Sequence, residues 1–478
     1  MVRCVSGVRQ NPERNACGPL FLWAMQPDTM IPGPRGRDAL RFLGFGSPDG
    51  LLGYFAELAR TYGPITRLRV LGQTVVLLDD AELIAEVLQH QQHRFTRDAG
   101  AALLREITGD GVLTLDDPGH LQRRRLLQPS FHRARIARYG EHMVREAEQA
   151  MSSWTQGETI DVGRTMMRLT LAVVGASLFG TDVADNAERI AAVVASIGGR
   201  GGRLQPVLAA LSPLLLTFRR YVPQQVRLIF PRERAELERV VDPIIARRRA
   251  SGTDGDDLLA TLLAARDEAG GALADVDVRN ELITFVLAGH ETTSSALTWA
   301  WYLLGRTPQV EARLHAELDE VLGDRAATLD DIPRLRYTAN VFAESLRLYP
   351  PAAAFARRPI EPVVIGGYRI PARSSVFVSP YVTHRNPRYF PDPLAFRPER
   401  WDESEVPKFA FFPFGGGAKM CIGEQFARAE GVLVLATIAR RWRLVPDDAE
   451  VAPAPSALLR PSRPIFARVT ARSRAALV

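Results

Sequence analysis

Cysteine is nearly absent from this chain: 478 residues contain only Cys4, Cys17 and Cys421. Three cysteines build no disulfide framework, and a reducing compartment, the cytoplasm, is the expected location. Two of them fall within the first 17 residues, which leaves Cys421 alone in the body of the chain. Lysine is scarcer still. It occurs only at Lys408 and Lys419, so arginine supplies nearly all of the 60 basic side chains. No run approaches the roughly 20 apolar residues that a membrane-spanning helix needs. Nor is there a block of five or six like charges. The nearest, Arg123 to Arg125 and Arg247 to Arg249, read as solvated helix faces and give no sign of a nucleic-acid-binding arm. The formal net charge of +6 is mild for so long a chain. Internal repeats, low-complexity tracts and convincing linkers are also lacking.

What is present is apolar: 46% of the residues are hydrophobic, ample for a large core. Residues 1–30 read as a disordered leader. Arg3, Arg9 and Arg14 precede a short apolar stretch, but no small-residue cleavage pattern follows. Met25 and Met30 are alternative start residues. Residues 31–478 then read as one catalytic domain. Ile65–Val70 and Thr74–Leu78 flank Gly72 and predict a hairpin. Helical patterns dominate from about 80 to 350, with Asp80 as a cap, and Gly198–Arg203 and 251–257 are polar breaks. The longest pattern, Val276–Leu304, predicts a helix of about 45 Å, enough to cross a whole domain. After 350 come short strands (Val363–Ile365, Tyr368–Ile370, Ser375–Ser379), a proline-rich irregular segment, and a last helix from Cys421 to about Arg441. The fold class is mainly α with a smaller β-rich part.

The most informative segment is Phe414-Gly-Gly-Gly-Ala-Lys-Met-Cys-Ile-Gly423. Its glycines permit close approach of the backbone, and its cysteine stands where a helix begins. Unpaired N–H groups there favour a thiolate. A thiolate in such a loop suits an axial bond to haem iron. Phe414, Gly417, Cys421 and Gly423 match the cysteine pattern of the cytochrome P450 family, which this chain resembles from about Ile31 onward. Lys419 departs from the pattern, where the family usually carries Arg or His.

Other motifs agree with that resemblance. Glu344 and Arg347 lie three apart on one helix face, and Arg400 in Phe396–Trp401 completes the family's structural triad. Ala288-Gly-His-Glu-Thr-Thr293 interrupts the long apolar helix. A kinked core helix with satisfied hydroxyls would explain it. The resemblance instead implies an oxygen-activation groove, with Ala288 and Gly289 making room beside the helix, Thr292 donating a hydrogen bond and Glu291 relaying protons. It also implies that His120, Arg124 and Arg357 hold haem propionates. Arg358 is close enough to Arg357 for that last assignment to slip by one. Lys419 is expected to touch a propionate at a single point. Haem b would sit between the long central helix and the helix that follows Cys421. The pocket would be walled by residues 95–115, 195–220, Phe285, Ala288, Ala353–Phe355 and Ala457–Leu459.

The activity implied is a monooxygenase that uses dioxygen, with Cys421 as the metal ligand and a small lipophilic substrate. No flavin or iron–sulfur segment is evident, so ferredoxin and ferredoxin reductase are expected as separate electron donors to a monomer. Two rivals stand beside it: a haem-thiolate peroxygenase or isomerase that needs no dioxygen, and a haem-binding sensor without turnover. Glu291 and Thr292 argue against the first, and an apolar pocket argues against the second.

Overall fold

The expected hairpin forms one edge of a larger sheet. In the computed structural model, which describes residues 30–43, 50–181, 183, 186–197, 230–252, 255–266, 271–403, 405–455 and 458–472, helix α1 (Gly50–Tyr62) leads into β1 (Ile65–Val70) and β2 (Gln73–Leu78), which pair antiparallel. Asp80 caps α2 (Ala81–Ala85), accepting from the N–H groups of Glu82 and Leu83. There follow β3 (Phe95–Arg97), α3 (Ala99–Thr108), α4 (Gly119–Leu127), α5 (Arg133–Ala150), β4 (Thr159–Asp161) and α6 (Val162–Leu178). The expected leader, the Gly198–Arg203 break and residues 204–220 of the expected pocket wall lie outside the described residues. Beyond them come α7 (Pro231–Ala250), α8 (Leu258–Ala264), α9 (Asp275–Arg306), α10 (Pro308–Val321) and α11 (Arg336–Leu348).

The texture then changes as predicted. Strands β5 (Phe355–Pro359), β6 (Val363–Ile365), β7 (Tyr368–Ile370) and β8 (Ser375–Val378) precede two one-turn helices, α12 (Pro380–Thr383) and α13 (Arg400–Glu403). The cysteine loop opens α14 (Glu424–Ala439), and β9 (Trp442–Pro446), β10 (Pro453–Pro455), β11 (Leu459–Pro461) and β12 (Phe466–Ala471) close the chain. The main sheet runs β1-β2-β8-β5-β3, with β2 and β8 parallel. A second, β4-β12-β9, ties residues 159–161 to the C-terminal segment.

Helix α9 has 32 residues, about 48 Å at 1.5 Å each. Its helical hydroxyls bond back to carbonyls one turn earlier: Thr284 to Asn280 at 2.7 Å and Thr298 to Ser294 at 2.6 Å. That satisfies polar groups inside a buried helix. Residues 281–286 and 293–302 are buried without exception. Between them, Leu287, Ala288, Gly289, Glu291 and Thr292 each keep some exposure. The central helix therefore opens onto a space at the segment singled out from the sequence. Among the described residues no helix is long and apolar enough to cross a membrane.

The Glu344–Arg347–Arg400 triad is present and buried. Arg347 grips Glu344 in bidentate fashion at 2.9 and 2.8 Å, and Arg400 Nε donates to the same carboxylate at 2.9 Å. Arg347 Nη1 donates to the carbonyls of His384 and Pro393, and Nη2 donates also to that of Ala395. One ion pair thus fastens α11 to the irregular segment that leads into the cysteine loop. A pair this fully hydrogen-bonded offsets the cost of burying its charges.

Candidate functional site

The cysteine loop is shaped by the glycines, although their first service is to the protein itself. Gly415 and Gly417 have φ of 74° and 70°, the left-handed region that favours glycine. A Cβ on Gly417 would lie 1.7 Å from the carbonyl oxygen of Leu88. One on Gly416 would lie 2.4 Å from the Phe409 ring. The loop closes with Cys421 N–H donating to the Phe414 carbonyl at 3.0 Å. Cys421 is deep in the fold yet keeps accessible surface, as expected of a thiol facing an internal space. Burial pushes its pKa up, and the backbone N–H of Gly423 pulls it down without prevailing. The N–H at the helix start thus favours the thiolate, as expected, and burial acts against it. Coordination by a metal is what ionises such a thiol outright.

Across from the loop lies α9. Thr292 Oγ1 donates to the Ala288 carbonyl at 2.8 Å. Glu291 is ion-paired with Arg460 of β11, a partner the sequence did not suggest. Burial raises the Glu291 pKa, and Arg460 opposes that rise. Gly289 serves a different purpose from the one expected. A Cβ there would come 2.9 Å from Val174 Cγ2, so its bareness admits α6. Room at the groove falls to Ala288. Phe285, expected in the pocket wall, is 6% exposed and stacks on Phe131 at 5.6 Å. Phe131 in turn lies 3.9 Å from where a Cβ of Gly423 would stand, so this pair of rings joins α9 to the cysteine loop.

The third part is a cluster of deep cations. Strand alternation separates the two arginines: Phe355 and Arg357 share one face of β5, and Arg358 points to the other. Phe355 lies 3.7 Å from the Cβ direction of Gly415, and Arg357 lines a small cleft with Val87, Leu88, Gln92, Phe95, Gly416 and Lys419. Among the described residues Arg357 has one hydrogen bond, to its own neighbour Ala356 at 3.1 Å. Burial lowers its pKa, while Asp98 and Asp116 act against the shift from a distance. Arg97, which sequence reasoning missed, is pushed down to about 10 by burial and by Arg357. His120 is pushed down to about 4 by burial and by Arg97, against the pull of Asp117. Arg124 turns inward and donates to the Met420 carbonyl at 2.6 Å.

Lys419 does not stand alone. Its ammonium donates to Asp117 Oδ2 at 3.0 Å, while Asp117 Oδ1 meets His120 Nδ1 at 3.2 Å. Burial would raise Asp117, but Lys419 and His120 hold it below the usual carboxylate range. Asp117 was not foreseen, although the Asp116-Asp117 doublet before Pro118 was visible. Arg123 is also accounted for: it pairs with Asp277 and Glu281, each at 3.4 Å, and is 11% exposed. Arg125 is exposed.

Cations placed this deep, where burial lowers each and Arg357 adds to the lowering of Arg97, call for an anion among them. A dicarboxylate cofactor with a metal at Cys421 answers both ends of the site, and haem fits. The Cytochrome P450 family model matches residues 39–469. The chain belongs to the cytochrome P450 family. This P450 is 42% identical to cyclooctatin synthase of Streptomyces melanosporofaciens, over 80% of its own length and 84% of that protein's. It is 36% identical to cyclooctat-9-en-7-ol 5-monooxygenase of the same organism, over 80% and 83%. Pentalenene oxygenase of Streptomyces avermitilis is 32% identical over 88% and 93%. The crystal structure of the cytochrome P450DA heme domain superposes with a TM-score of 0.78 at 28% identity, covering 93% of this chain and 97% of that one. The enzyme is thus a P450 monooxygenase, an oxidoreductase, and its cofactor is haem b.

The remaining expected wall is mixed. Ala353 is buried, Ala354, Phe355 and Leu458 are half-buried, and Ala457 lies outside the described residues. Leu459 is 1% exposed, and its carbonyl accepts from Ser295 at 2.7 Å and Trp299 at 3.3 Å.

Proposed function

We propose that this P450 inserts one atom of dioxygen into a lipophilic, olefinic carbocycle of terpene type, as a cytoplasmic monomer fed by a ferredoxin and a ferredoxin reductase. The observation that carries the substrate class is the identity to relatives named for cyclooctat-9-en-7-ol and pentalenene. The mostly apolar groove at Leu287 and Ala288 agrees with it, because such a ligand is held by shape. Two electrons, two protons and dioxygen convert a C–H bond to C–OH and release one water.

Haem b, when bound at Cys421, supplies the redox chemistry that activates dioxygen, and thiolate donation favours O–O cleavage. The chain's own residues do the rest. Arg97 and Arg357 offer charge to the carboxylates of the cofactor, His120 offers them a ring nitrogen, and Arg124 holds the cysteine loop by Met420. Phe414, Gly417 and Gly423 shape that loop, and Lys419 braces it through Asp117. Ala288 keeps the groove open, and Gly289 lets α6 close behind it. Thr292 holds a proton at Oγ1, now shared with the Ala288 carbonyl, and Glu291 moves protons toward it. Arg125, the exposed member of its triplet, offers a contact to an acidic ferredoxin.

Thr292→Ala tests the relay. It is expected to keep haem and substrate binding but to divert reducing equivalents to peroxide. The ratio of product to reduced nicotinamide consumed reads this directly, and an unchanged ratio contradicts the role given to Thr292.

A further inference from the structure

His384 stands at the end of α12, and its side chain is fully buried. Its backbone is tied to the triad: the His384 carbonyl accepts from Arg347 Nη1 at 2.8 Å, while the His384 N–H donates to the Pro380 carbonyl at 2.9 Å. Its ring is tied to the segment that opens the cysteine loop: Nε2 accepts from the Phe412 N–H at 3.0 Å. One residue therefore joins the Glu344 triad to the loop. Only one form of the ring allows that bond. An N–H donor needs a bare ring nitrogen, so the proton lies on Nδ1 and the imidazole is neutral. The surroundings enforce this state. Burial drives the pKa of His384 well below its ordinary value, and the nearby cations Arg347 and Arg385 push the same way. Among the described residues Nδ1 completes no hydrogen bond, although the carbonyls of Arg347 and Leu346 draw on the ring.

The ring also packs against two aromatic neighbours. Its centroid is 5.0 Å from that of Phe411 and 5.3 Å from that of Phe412, the second contact edge-on at 85°. Phe411 lies against Trp401 at 4.4 Å, and Trp401 donates its indole N–H to Glu344. Two routes from the triad thus meet at Phe411 and Phe412. From there the path to the thiol is short. The Phe412 carbonyl accepts from the Gly415 N–H at 2.9 Å, and the Phe414 carbonyl accepts from the Cys421 N–H at 3.0 Å. On the other flank of the loop, Gln92 Oε1 accepts from the Ala418 N–H. A phenylalanine at 384 would fill much the same volume. What histidine adds is a lone pair in a buried place, for a backbone N–H that would otherwise lie there without an acceptor.

We propose that His384 is a positioning residue for the Cys421 ligand: through Nε2 it fixes the Phe412 peptide, from which the cysteine loop turns toward Cys421, so that the Glu344 triad holds the sulfur in place as well as the fold. The proposal rests on the reading of Cys421 as the ligand of haem iron. The physical reason is the order of the hydrogen bonds. The Phe412 peptide is held on its N–H side by His384 and supports the loop on its carbonyl side through Gly415. Without the imidazole that peptide is free to rotate, and the turn built on it shifts with it. A sulfur carried by a looser loop leaves its metal more often.

The test uses the full-length haem-loaded chain as the parent, His384→Phe and His384→Gln. Phenylalanine keeps the ring contacts and removes the acceptor, whereas glutamine carries an amide oxygen that can reach the Phe412 N–H. In urea below the unfolding midpoint, the long-wavelength band that thiolate-bound haem gives with carbon monoxide is followed in time, with haem content determined in parallel. His384→Phe should lose the band several-fold faster than the parent at unchanged haem content, and His384→Gln should stay close to the parent. In the parent, reduced and bound to carbon monoxide, nitrogen resonances of isotope-labelled histidine should place the His384 proton on Nδ1, with His384→Gln identifying the signal by its loss. Equal rates in the parent and His384→Phe overturn the proposal. So do equally fast losses in both variants, because ring packing and not the acceptor then holds the loop. A proton on Nε2 overturns it as well, since it forbids the bond to Phe412. Should His384→Phe not accumulate, His384→Asn, whose amide stops short of Phe412, stands in with the same expectation. Failure of Cys421 as the ligand looks different: the parent itself gives no such band, whatever the ring nitrogens show, and the proposal falls with that reading.

Discussion

Glu344→Gln is the sharpest perturbation of the scaffold behind the cysteine loop. The carboxylate accepts five donors: Arg347 Nε and Nη2, Arg400 Nε, the Arg397 backbone N–H at 3.0 Å and the Trp401 indole at 3.2 Å. Glu344 and Arg347 are both fully buried. Glutamine keeps the shape but removes the charge, and its amide nitrogen is a donor facing donors. Two guanidinium groups are left without their counter-charge. Breaking a buried pair from one side costs about 3–5 kcal/mol. That is about two to four powers of ten in the folded population, at about 1.4 kcal/mol per tenfold. Urea unfolding of the haem-loaded protein reads the loss, with Trp401 as a fluorescent reporter beside the mutated group and haem absorbance as a second probe. A loss below about 1 kcal/mol would refute the view that this carboxylate anchors the segment leading to Cys421.

Two smaller predictions follow from single groups, and a third from a pair. Glu430 is fully buried, and burial raises its pKa to about 8 from an ordinary 4.5, so the folded state holds a proton that the unfolded state releases. Its contribution is present at low pH and is lost as pH rises from about 4.5 toward about 8. Glu430→Gln should flatten the stability-versus-pH curve in that window, measured by urea midpoints. Lys419→Ala should speed haem transfer to apomyoglobin by less than about tenfold, because its partner Asp117 is 39% exposed and such pairs are worth little. The double variant with Asp117→Ala should lose haem no faster than Asp117→Ala alone; faster loss would return a direct propionate role to Lys419.

Much of the site was legible because its parts are local. The cysteine loop, the Glu344–Arg347 pair and the Ala288–Thr293 segment each declare themselves within ten residues; the loop opens α14 and the segment lies where α9 keeps some exposure. What escaped depends on contacts across the chain. Arg97 is one arginine among many until β3 pairs with β5 and brings it beside Arg357. Arg460 lies 169 positions from Glu291 and has no local signature. Gly289 was expected to make room in the groove, but the neighbour its bareness admits, Val174, belongs to another helix. The strands β3, β4 and β10–β12 are short and owe their existence to distant partners, so no periodicity announces them.

The account stands or falls on Cys421 as the thiolate ligand. The direct measurement is the carbon monoxide spectrum of the reduced protein, parent against Cys421→Ala, with haem content determined separately. The parent should show the long-wavelength band of thiolate ligation, and the variant should lose it even where haem is retained. Cys4 and Cys17, outside the described residues, are the only other thiols in the chain. Persistence of the thiolate band in Cys421→Ala would contradict the central claim.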